Sequence, residues 1–111
     1  MSKITMNEYQ QFAWSLTSDA GKQNAVLNGV LGLAGESGEC ADLVKKHMFQ
    51  GHELNEEKLK DELGDVLWYI CCTASGLGIT LEDIALYNVE KLSKRFPTGA
   101  FRAADSINRH E

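Results

Sequence analysis

Residues 30–47 read VLGLAGESGECADLVKKH, an apolar pattern with helical spacing that two acids interrupt. On a helical wheel of about 100° per residue, Leu33 and Cys40 fall in the same narrow arc as Glu36, and Glu39 lies one step to the side. Charged side chains are among the least often buried. Two acids in a core-facing stripe therefore predict that protons or cations compensate their charge.

A second stretch, residues 58–70, reads KLKDELGDVLWYI and repeats this arrangement. Two of its acids, Glu62 and Asp65, are again three residues apart and again interrupt an apolar arc. If the two helices pack face to face, four carboxylates converge, and their desolvation without a compensating charge is costly. All-oxygen ligands select hard cations, so the pattern predicts a site for Mg²⁺, with Mn²⁺ as a substitute. The predicted metal ligands are Glu36, Glu39, Glu62 and Asp65.

Other interpretations of these acids stay open. A single Glu-x-x-Glu pair is weak evidence, because many helix surfaces carry such pairs in solvated form or neutralised by lysine. A carboxylate-bridged iron or manganese bundle typically carries Glu-x-x-His on two of its helices, and no histidine stands at that offset here. A non-catalytic helical oligomer with a regulatory role would tolerate the loss of its acids.

The remaining sequence also has helical spacing, and strand-like alternation is nearly absent. Capping and stop signals predict four helices, at the approximate bounds 6–16, 24–49, 56–75 and 81–95. Residues 18–21 read as the turn that leaves the first helix. We therefore expect an all-α fold, a four-helix bundle that occupies one domain over residues 1–97. The tail, residues 98–111, is expected to be extended or partly ordered.

Four glycines recur at intervals of three in the second predicted helix, at Gly29, Gly32, Gly35 and Gly38. Each one costs a helix about 1 kcal/mol relative to alanine. This series predicts either close approach of another backbone or a break near the start of the helix.

Basic and aromatic side chains supply candidates for binding a nucleotide. Arginine and lysine suit phosphate oxygens, although basic residues at the end of a helix also suit its dipole. The predicted phosphate-binding residues are Lys91 and Arg95, their neighbour on the same helix face Asn88, and Lys46. An aromatic ring can stack on a base, but it is more often part of the core. The candidates for a base pocket are Tyr69, Trp14 and Trp68.

The composition limits the partners of the chain. Its 111 residues suit one domain, and its net charge of −5 argues against binding of a nucleic acid polymer. Cys40, Cys71 and Cys72 lie in apolar helical segments without a disulfide framework, which predicts reduced thiols that pack as small hydrophobic residues in a cytoplasmic protein. The most apolar stretch is too short to span a bilayer, so no membrane partner is expected.

Three motifs in this order, GESGE at 35–39, DELGDV at 61–66 and EKLSKRFP at 90–97, resemble the MazG-like nucleotide pyrophosphohydrolases. The resemblance covers roughly residues 27–97. It implies an all-α, Mg²⁺-dependent enzyme that hydrolyses nucleoside triphosphates between the α and β phosphates, giving a monophosphate and pyrophosphate. A role in cleansing the nucleotide pool would suit such an enzyme.

The resemblance also implies roles for particular residues. The four acids match the metal-binding positions of the family, and we expect Glu36 and Glu39 to be catalytic, with Glu39 positioning or deprotonating the attacking water. Lys91 and Arg95 match basic positions near the phosphates, and Tyr69 matches an aromatic position that lines the pocket. The family forms dimers or tetramers, so a homo-oligomer is expected.

Overall fold

A computed structural model describes residues 2–108, which form α-helices and connecting turns with no strand among them. The helices are α1 (Met6–Leu16), α2 (Asp19–Gln23), α3 (Ala25–Phe49), α4 (Glu56–Gly76), α5 (Leu81–Arg95) and α6 (Ala103–Ile107). The predicted all-α class is confirmed. The four predicted helices correspond to α1, α3, α4 and α5, and two short helices accompany them.

The predicted N-caps of α1 and α4 form in the structure. Thr5 Oγ1 accepts a hydrogen bond from the Glu8 backbone N–H, and a Glu8 carboxylate oxygen accepts one from the Thr5 N–H, both at 3.1 Å. Asn55 Oδ1 accepts from the Lys58 N–H at 3.0 Å at the start of α4. These bonds satisfy backbone donors that the first turn of a helix leaves without intrahelical partners.

The expected turn at residues 18–21 is instead the beginning of α2. Ser18 Oγ accepts a hydrogen bond from the Gly21 N–H at 3.0 Å, so this serine caps a helix rather than closing a turn. A second short helix, α6, lies within the tail at 98–111, whose residues 109–111 lie outside the described part of the chain.

Two compact units divide the chain, one up to Leu81 and one from Glu82 onward. The first unit is built on α3 and α4, which pack against each other as an antiparallel hairpin. A Cβ at Gly76 would lie 2.8 Å from the Val26 backbone nitrogen, and a Cβ at Gly29 would lie 2.8 Å from that of Thr73. Advancing along α3 therefore means moving back along α4 by the same number of residues.

The glycine series of α3 has two different roles. Gly29 lies against the Thr73 backbone, so the predicted close approach of a backbone is confirmed there, whereas Gly32 lies beneath the side-chain ring of Tyr69. A Cβ at Gly35 or Gly38 would meet no atom within 4 Å, so these two glycines make no such approach. The helix is continuous from Ala25 to Phe49, and the alternative of a break is wrong.

Small side chains form the buried core of the first unit. Ala13 from α1, Cys71 from α4 and Leu81 are buried, and partly buried Tyr9, Trp68 and Ile70 pack against them. Cys71 and Cys72 are 0% and 2% exposed, as expected of small hydrophobic residues, and burial raises the pKa of Cys71 to about 11. The thiol is therefore neutral near pH 7 and acts as packing material.

Gln10 links α1 to the turn that follows α4. Its Nε2 donates to Ser75 Oγ at 3.0 Å and to the Ile79 carbonyl at 2.9 Å, while its Oε1 accepts from the Leu81 N–H at 2.6 Å. The side chain is 8% exposed, so these are hydrogen bonds in a nearly dry environment. One buried amide thus joins two segments about seventy positions apart in the sequence.

Replacement of Gln10 by leucine tests this link. The apolar side chain would leave the buried Leu81 N–H and the Ile79 carbonyl without their partner, at a cost of about 1–3 kcal/mol for each buried unsatisfied group. We expect a lower free energy of unfolding in urea with an unchanged dependence on denaturant. The exposed neighbour Gln11 provides the control, since Gln11→Leu should change stability by less than about 0.5 kcal/mol. Equal effects of the two substitutions would contradict the assignment.

The second unit contains α5 beyond Leu81 and the short helix α6. Phe96 and Phe101 pack with ring centroids 5.3 Å apart, and Arg102 Nε lies 3.5 Å from Asp105 Oδ2. Across residues 2–108, no single helix has both the length and the apolar composition that a membrane span requires.

Candidate metal centre and its surroundings

The register of the α3–α4 hairpin brings acids together. Gly29 lies opposite Thr73, and Gly32 lies opposite Tyr69, so one further turn places Glu36 opposite Asp65 and close to Glu62. Each of Glu36, Glu62 and Asp65 offers a carboxylate oxygen, and these three oxygens lie within 4.8 Å of one another. The structure thus joins three of the four predicted metal ligands.

The three carboxylates affect one another strongly. A hydrogen bond to the Glu62 carboxyl raises the pKa of Glu36, with further contributions from desolvation and from the charges of Glu62, Asp65 and Glu39, and the result is a pKa of about 7. Glu62 is only 9% exposed. In the absence of a cation, a proton shared between Glu36 and Glu62 thus relieves the repulsion.

The donor set fits a hard divalent cation. Three carboxylate oxygens converge from two helices, without a nitrogen or sulfur ligand, and Mg²⁺ and Mn²⁺ prefer such oxygens. A cation placed among them would replace the shared proton and remove the cause of the raised Glu36 pKa. The chemistry of these side chains therefore fits a divalent cation, and Mg²⁺ as its identity stays a prediction.

Glu39 lies at the edge of this cluster. It is exposed and stands outside the group of three, yet its charge is close enough to contribute to the raised pKa of Glu36. The antiparallel register places it one turn past Glu36 on α3, toward the beginning of α4. The role of Glu39 as a fourth ligand stays a prediction.

Lys46, predicted to bind phosphate, is held by an acid of its own helix. Its Nζ lies 2.8 Å from Asp42 Oδ2, and Lys45 Nζ lies 3.5 Å from Asp42 Oδ1. This contact with Asp42 raises the pKa of Lys46. Lys46 also lies ten residues beyond Glu36, about 15 Å along the helix axis. Attention to the Asp-x-x-x-Lys spacing would have revealed this pair from the sequence.

Two of the three candidate base-pocket aromatics are neighbours of the acids. The Tyr69 ring lies over Gly32, one turn along α4 from Asp65. Trp68 and Tyr69 pack edge to face, with centroids 5.3 Å apart. Tyr69 therefore lies in the α3–α4 interface, whereas Trp68 lies toward α1.

A cleft of about 460 Å³ opens beside Asp65 on the α1 side of α4. Trp68 lines it together with Tyr9 and Asp61, neither of which was a predicted site residue. Burial is the main cause that raises the pKa of Tyr9, and the charges of Cys71 and Asp65 add to it. The helical stripe of α1 identified Tyr9 only as a core residue, because a stripe does not specify which neighbour it meets.

Trp14, the third candidate, does not join this group. It lines a separate cleft with Ser75, which lies ten residues after Asp65 on α4 and thus about 15 Å away along the helix. The Lys22 ammonium lies 5.4 Å from the centroid of the Trp14 ring. Its inclusion with Tyr69 and Trp68 rested on its aromatic ring, which gives no information on the distance from the acids.

The remaining predicted phosphate ligands belong to the second unit. Asn88, Lys91 and Arg95 lie on α5 at offsets of three and seven residues and therefore share one face of that helix. Asn88 and Lys91 are exposed, and Arg95 is half-buried. Their role at the phosphates stays a prediction from the sequence.

The raised pKa of Glu36 gives the metal-free protein a particular pH dependence. The folded state holds a proton on this carboxyl that the unfolded state releases near the ordinary pKa of 4.5, so stability falls as pH rises from about 4.5 to about 7. Thermal melts in EDTA between about pH 5 and about pH 8 should show this decrease. Glu36→Gln removes the titrating group and should flatten that part of the profile. Parallel profiles of the two proteins would contradict the shared proton.

Comparisons with known proteins place these residues in a recognised domain. The model of the MazG nucleotide pyrophosphohydrolase domain matches residues 26–100, which include all four acids and the whole of α5. The chain is 35% identical over 78 residues to the "Gene 37 protein" of Mycobacterium phage L5, an alignment that covers 67% of this chain and 68% of the phage protein. The search of solved structures found no match.

Proposed function

Because the chain belongs to the MazG nucleotide pyrophosphohydrolase domain family, we propose that it is a Mg²⁺-dependent enzyme that cleaves nucleoside triphosphates between the α and β phosphates. The observation that carries the proposal is the group of three carboxylate oxygens within 4.8 Å at the α3–α4 interface. Cleansing of a cytoplasmic nucleotide pool is the biological role that we propose for this activity.

Glu36, Glu62 and Asp65 are the residues that would hold Mg²⁺, with Glu39 as a fourth ligand or as a base beside it. When bound, the cation would neutralise charge on the triphosphate and make a water molecule more acidic. The near-complete burial of Glu62 keeps solvent away from this side of the cluster and so strengthens its electrostatic interactions.

The proposed reaction is a hydrolytic phosphoryl displacement. The oxygen of a water molecule forms a bond to the α-phosphorus, the bond from that phosphorus to the bridging oxygen breaks, and pyrophosphate leaves with the electron pair. Glu39 accepts the proton of the water, because its exposed carboxylate is next to the cluster and outside the group of three. Lys91 and Arg95 bind the negatively charged oxygens of the leaving pyrophosphate.

The cleft beside Asp65 is the proposed position of the base. Trp68 and Tyr9 supply half-buried aromatic surfaces there, and Asp61 supplies a carboxylate that can accept a hydrogen bond from an amino group of a base. Tyr69 packs against Trp68 and so fixes the position of its ring.

Hydrolysis in ¹⁸O-labelled water with a panel of nucleotides and Mg²⁺ tests the proposal. The label should appear in the monophosphate, and pyrophosphate should be the other product. Release of orthophosphate, or label found in the pyrophosphate, would exclude attack at the α-phosphorus. Rates of hydrolysis that stay the same when EDTA replaces Mg²⁺ would exclude a metal requirement.

We also propose that the protein is a homo-oligomer, a dimer or tetramer, with one face of α3 at an interface between copies. Leu27, Leu31 and Met48 are 60%, 63% and 63% exposed. They follow one stripe with exposed small residues between them, at positions 34, 38 and 41, and exposed Lys45 interrupts the stripe before Met48. The uninterrupted part of the stripe, from Leu27 to residue 41, is typical of a protein–protein contact.

Leu31→Glu tests this interface. A carboxylate in the middle of an apolar contact loses its hydration and gains no compensating cation, which disfavours association. We therefore expect the molar mass in light scattering to fall to that of a smaller species. Gln50→Glu adds the same charge at an exposed position after α3 and should leave the mass unchanged. A wild-type protein that is monomeric at all concentrations would contradict the proposal.

A further inference from the structure

A second cleft lies at the opposite end of α4 from the acids. Its volume is about 410 Å³, within the range of small-molecule sites. Its walls come from α1 and from the end of α4 with its following turn, and include Gln11, Trp14, Ser75 and Gly78. Ser75 lies about 15 Å along the helix from Asp65, so this cleft is separate from the proposed catalytic site.

The walls of this cleft are held in place before any ligand binds. Gln10 joins α1 to Ser75 and Ile79 through hydrogen bonds of 3.0 and 2.9 Å. Gly78 has φ = 73°, which closes the turn after α4, and a Cβ there would meet no atom within 4 Å. The Lys22 ammonium contacts the face of the Trp14 ring and restrains its orientation. A cleft that is organised in advance loses little freedom when it binds a ligand.

The chemistry of the lining restricts the class of ligand. None of the eight residues that line this cleft in the described chain carries a formal charge, and the neighbouring Lys22 is a cation, so a metal ion would not be compensated there. The half-buried Trp14 ring offers a surface for stacking, and the exposed Gln11 carboxamide offers a donor and an acceptor side by side. A carboxamide of this kind pairs in bidentate fashion with the N6 and N7 atoms of adenine.

We propose that the Trp14 cleft binds a neutral purine, an adenine base or adenosine, at a site distinct from the acid cluster. Stacking on Trp14 supplies most of the affinity, and Gln11 selects the adenine edge. Uridine lacks both the N6 amino group and the wider ring, and it should bind at least about tenfold more weakly.

Adenosine is the probe, because it has no phosphate and so makes no demand on the acids. It is titrated in EDTA into Trp68→Phe protein, in which Trp14 is the one remaining tryptophan. We expect saturable quenching of Trp14 fluorescence, with Gln11→Ala in the same background shifting the midpoint to higher concentration. Absence of saturation at millimolar adenosine would overturn the proposal.

Equilibrium dialysis with the wild type and Trp14→Phe provides a second readout that does not need Trp68→Phe to fold. Trp14→Phe keeps an aromatic ring but reduces the stacking area, and Trp14→Ala removes it, so affinity should fall stepwise, by at least about tenfold for alanine. Adenosine affinity that is equal in all three proteins would place the nucleoside elsewhere and overturn the proposal. The experiment stands apart from catalysis, since inactive protein can still bind adenosine in this cleft.

Discussion

Glu62→Gln is expected to lower kcat/KM for nucleoside triphosphate hydrolysis by at least about 100-fold while it raises the stability of the metal-free protein. Glu62 is the least exposed member of the group of three and shares a hydrogen bond with Glu36. The amide keeps the size of the side chain but removes its charge. The metal loses one carboxylate ligand, which weakens metal binding and catalysis. The metal-free fold loses the repulsion between Glu62 and the neighbouring carboxylates.

The two effects have opposite signs, and this distinguishes a functional acid from a structural one. Steady-state kinetics with Mg²⁺ measures the first effect, and urea unfolding in EDTA measures the second. The stabilisation that Mg²⁺ confers on the wild type should also be absent from Glu62→Gln, because a ligand stabilises only the state to which it binds. Glu56→Gln makes the same chemical change at an exposed position of α4 and should leave turnover and the Mg²⁺ effect intact. A Glu62→Gln protein that is active, or inactive but less stable, would contradict the proposed site.

Gly29→Ala should lower the free energy of unfolding by about 2 kcal/mol or more, despite the better helix propensity of alanine. The added Cβ would lie 2.8 Å from the backbone nitrogen of Thr73 and 3.0 Å from its Cα. Backbone atoms cannot rotate away as the end of a side chain can, so α3 and α4 must move apart. The same movement separates the acids, and Mg²⁺ should stabilise this variant less than the wild type.

Gly35→Ala is the matched control for Gly29→Ala. It lies two turns further along the same helix, and its Cβ would meet no atom within 4 Å. Only the difference in helix propensity between glycine and alanine then applies, and we expect the free energy of unfolding to rise by up to about 1 kcal/mol. Urea or thermal unfolding of both variants in EDTA measures the difference. A destabilised Gly35→Ala, or a Gly29→Ala protein as stable as the wild type, would contradict the packing described for the hairpin.

Helical spacing predicted a large part of this molecule. The all-α class, the caps at Thr5 and Asn55, and the inward position of Glu36 and Glu62 follow from periodicity and hydrogen-bonding rules that operate within one helix. The convergence of the acids was inferred because two helices each carry a pair of acids within an apolar stripe. If the two stripes pack together, the acids can share one cation. That inference needs no exact alignment of the helices.

Properties that depend on distance along a helix were less accessible. Trp14 and Tyr69 are both aromatic residues on helical faces, yet the structure places them at different ends of α4. Lys46 was assigned to phosphate although Asp42 lies one turn away on the same helix. The short helix α2 was missed because serine followed by acid and glycine is equally typical of a turn and of a cap.

The contacts of Gly29 and Gly32 with α4 have a consequence for how relatives of this chain can differ. The close contacts at these two glycines constrain which residues of α3 and α4 face each other. Residues 50–55 between α3 and α4 are all exposed, so they act as a spacer. Insertions there would alter the number of residues between Glu39 and Glu62 without moving either acid relative to the other. The number of residues between the two acidic motifs can thus vary while the acids stay in contact.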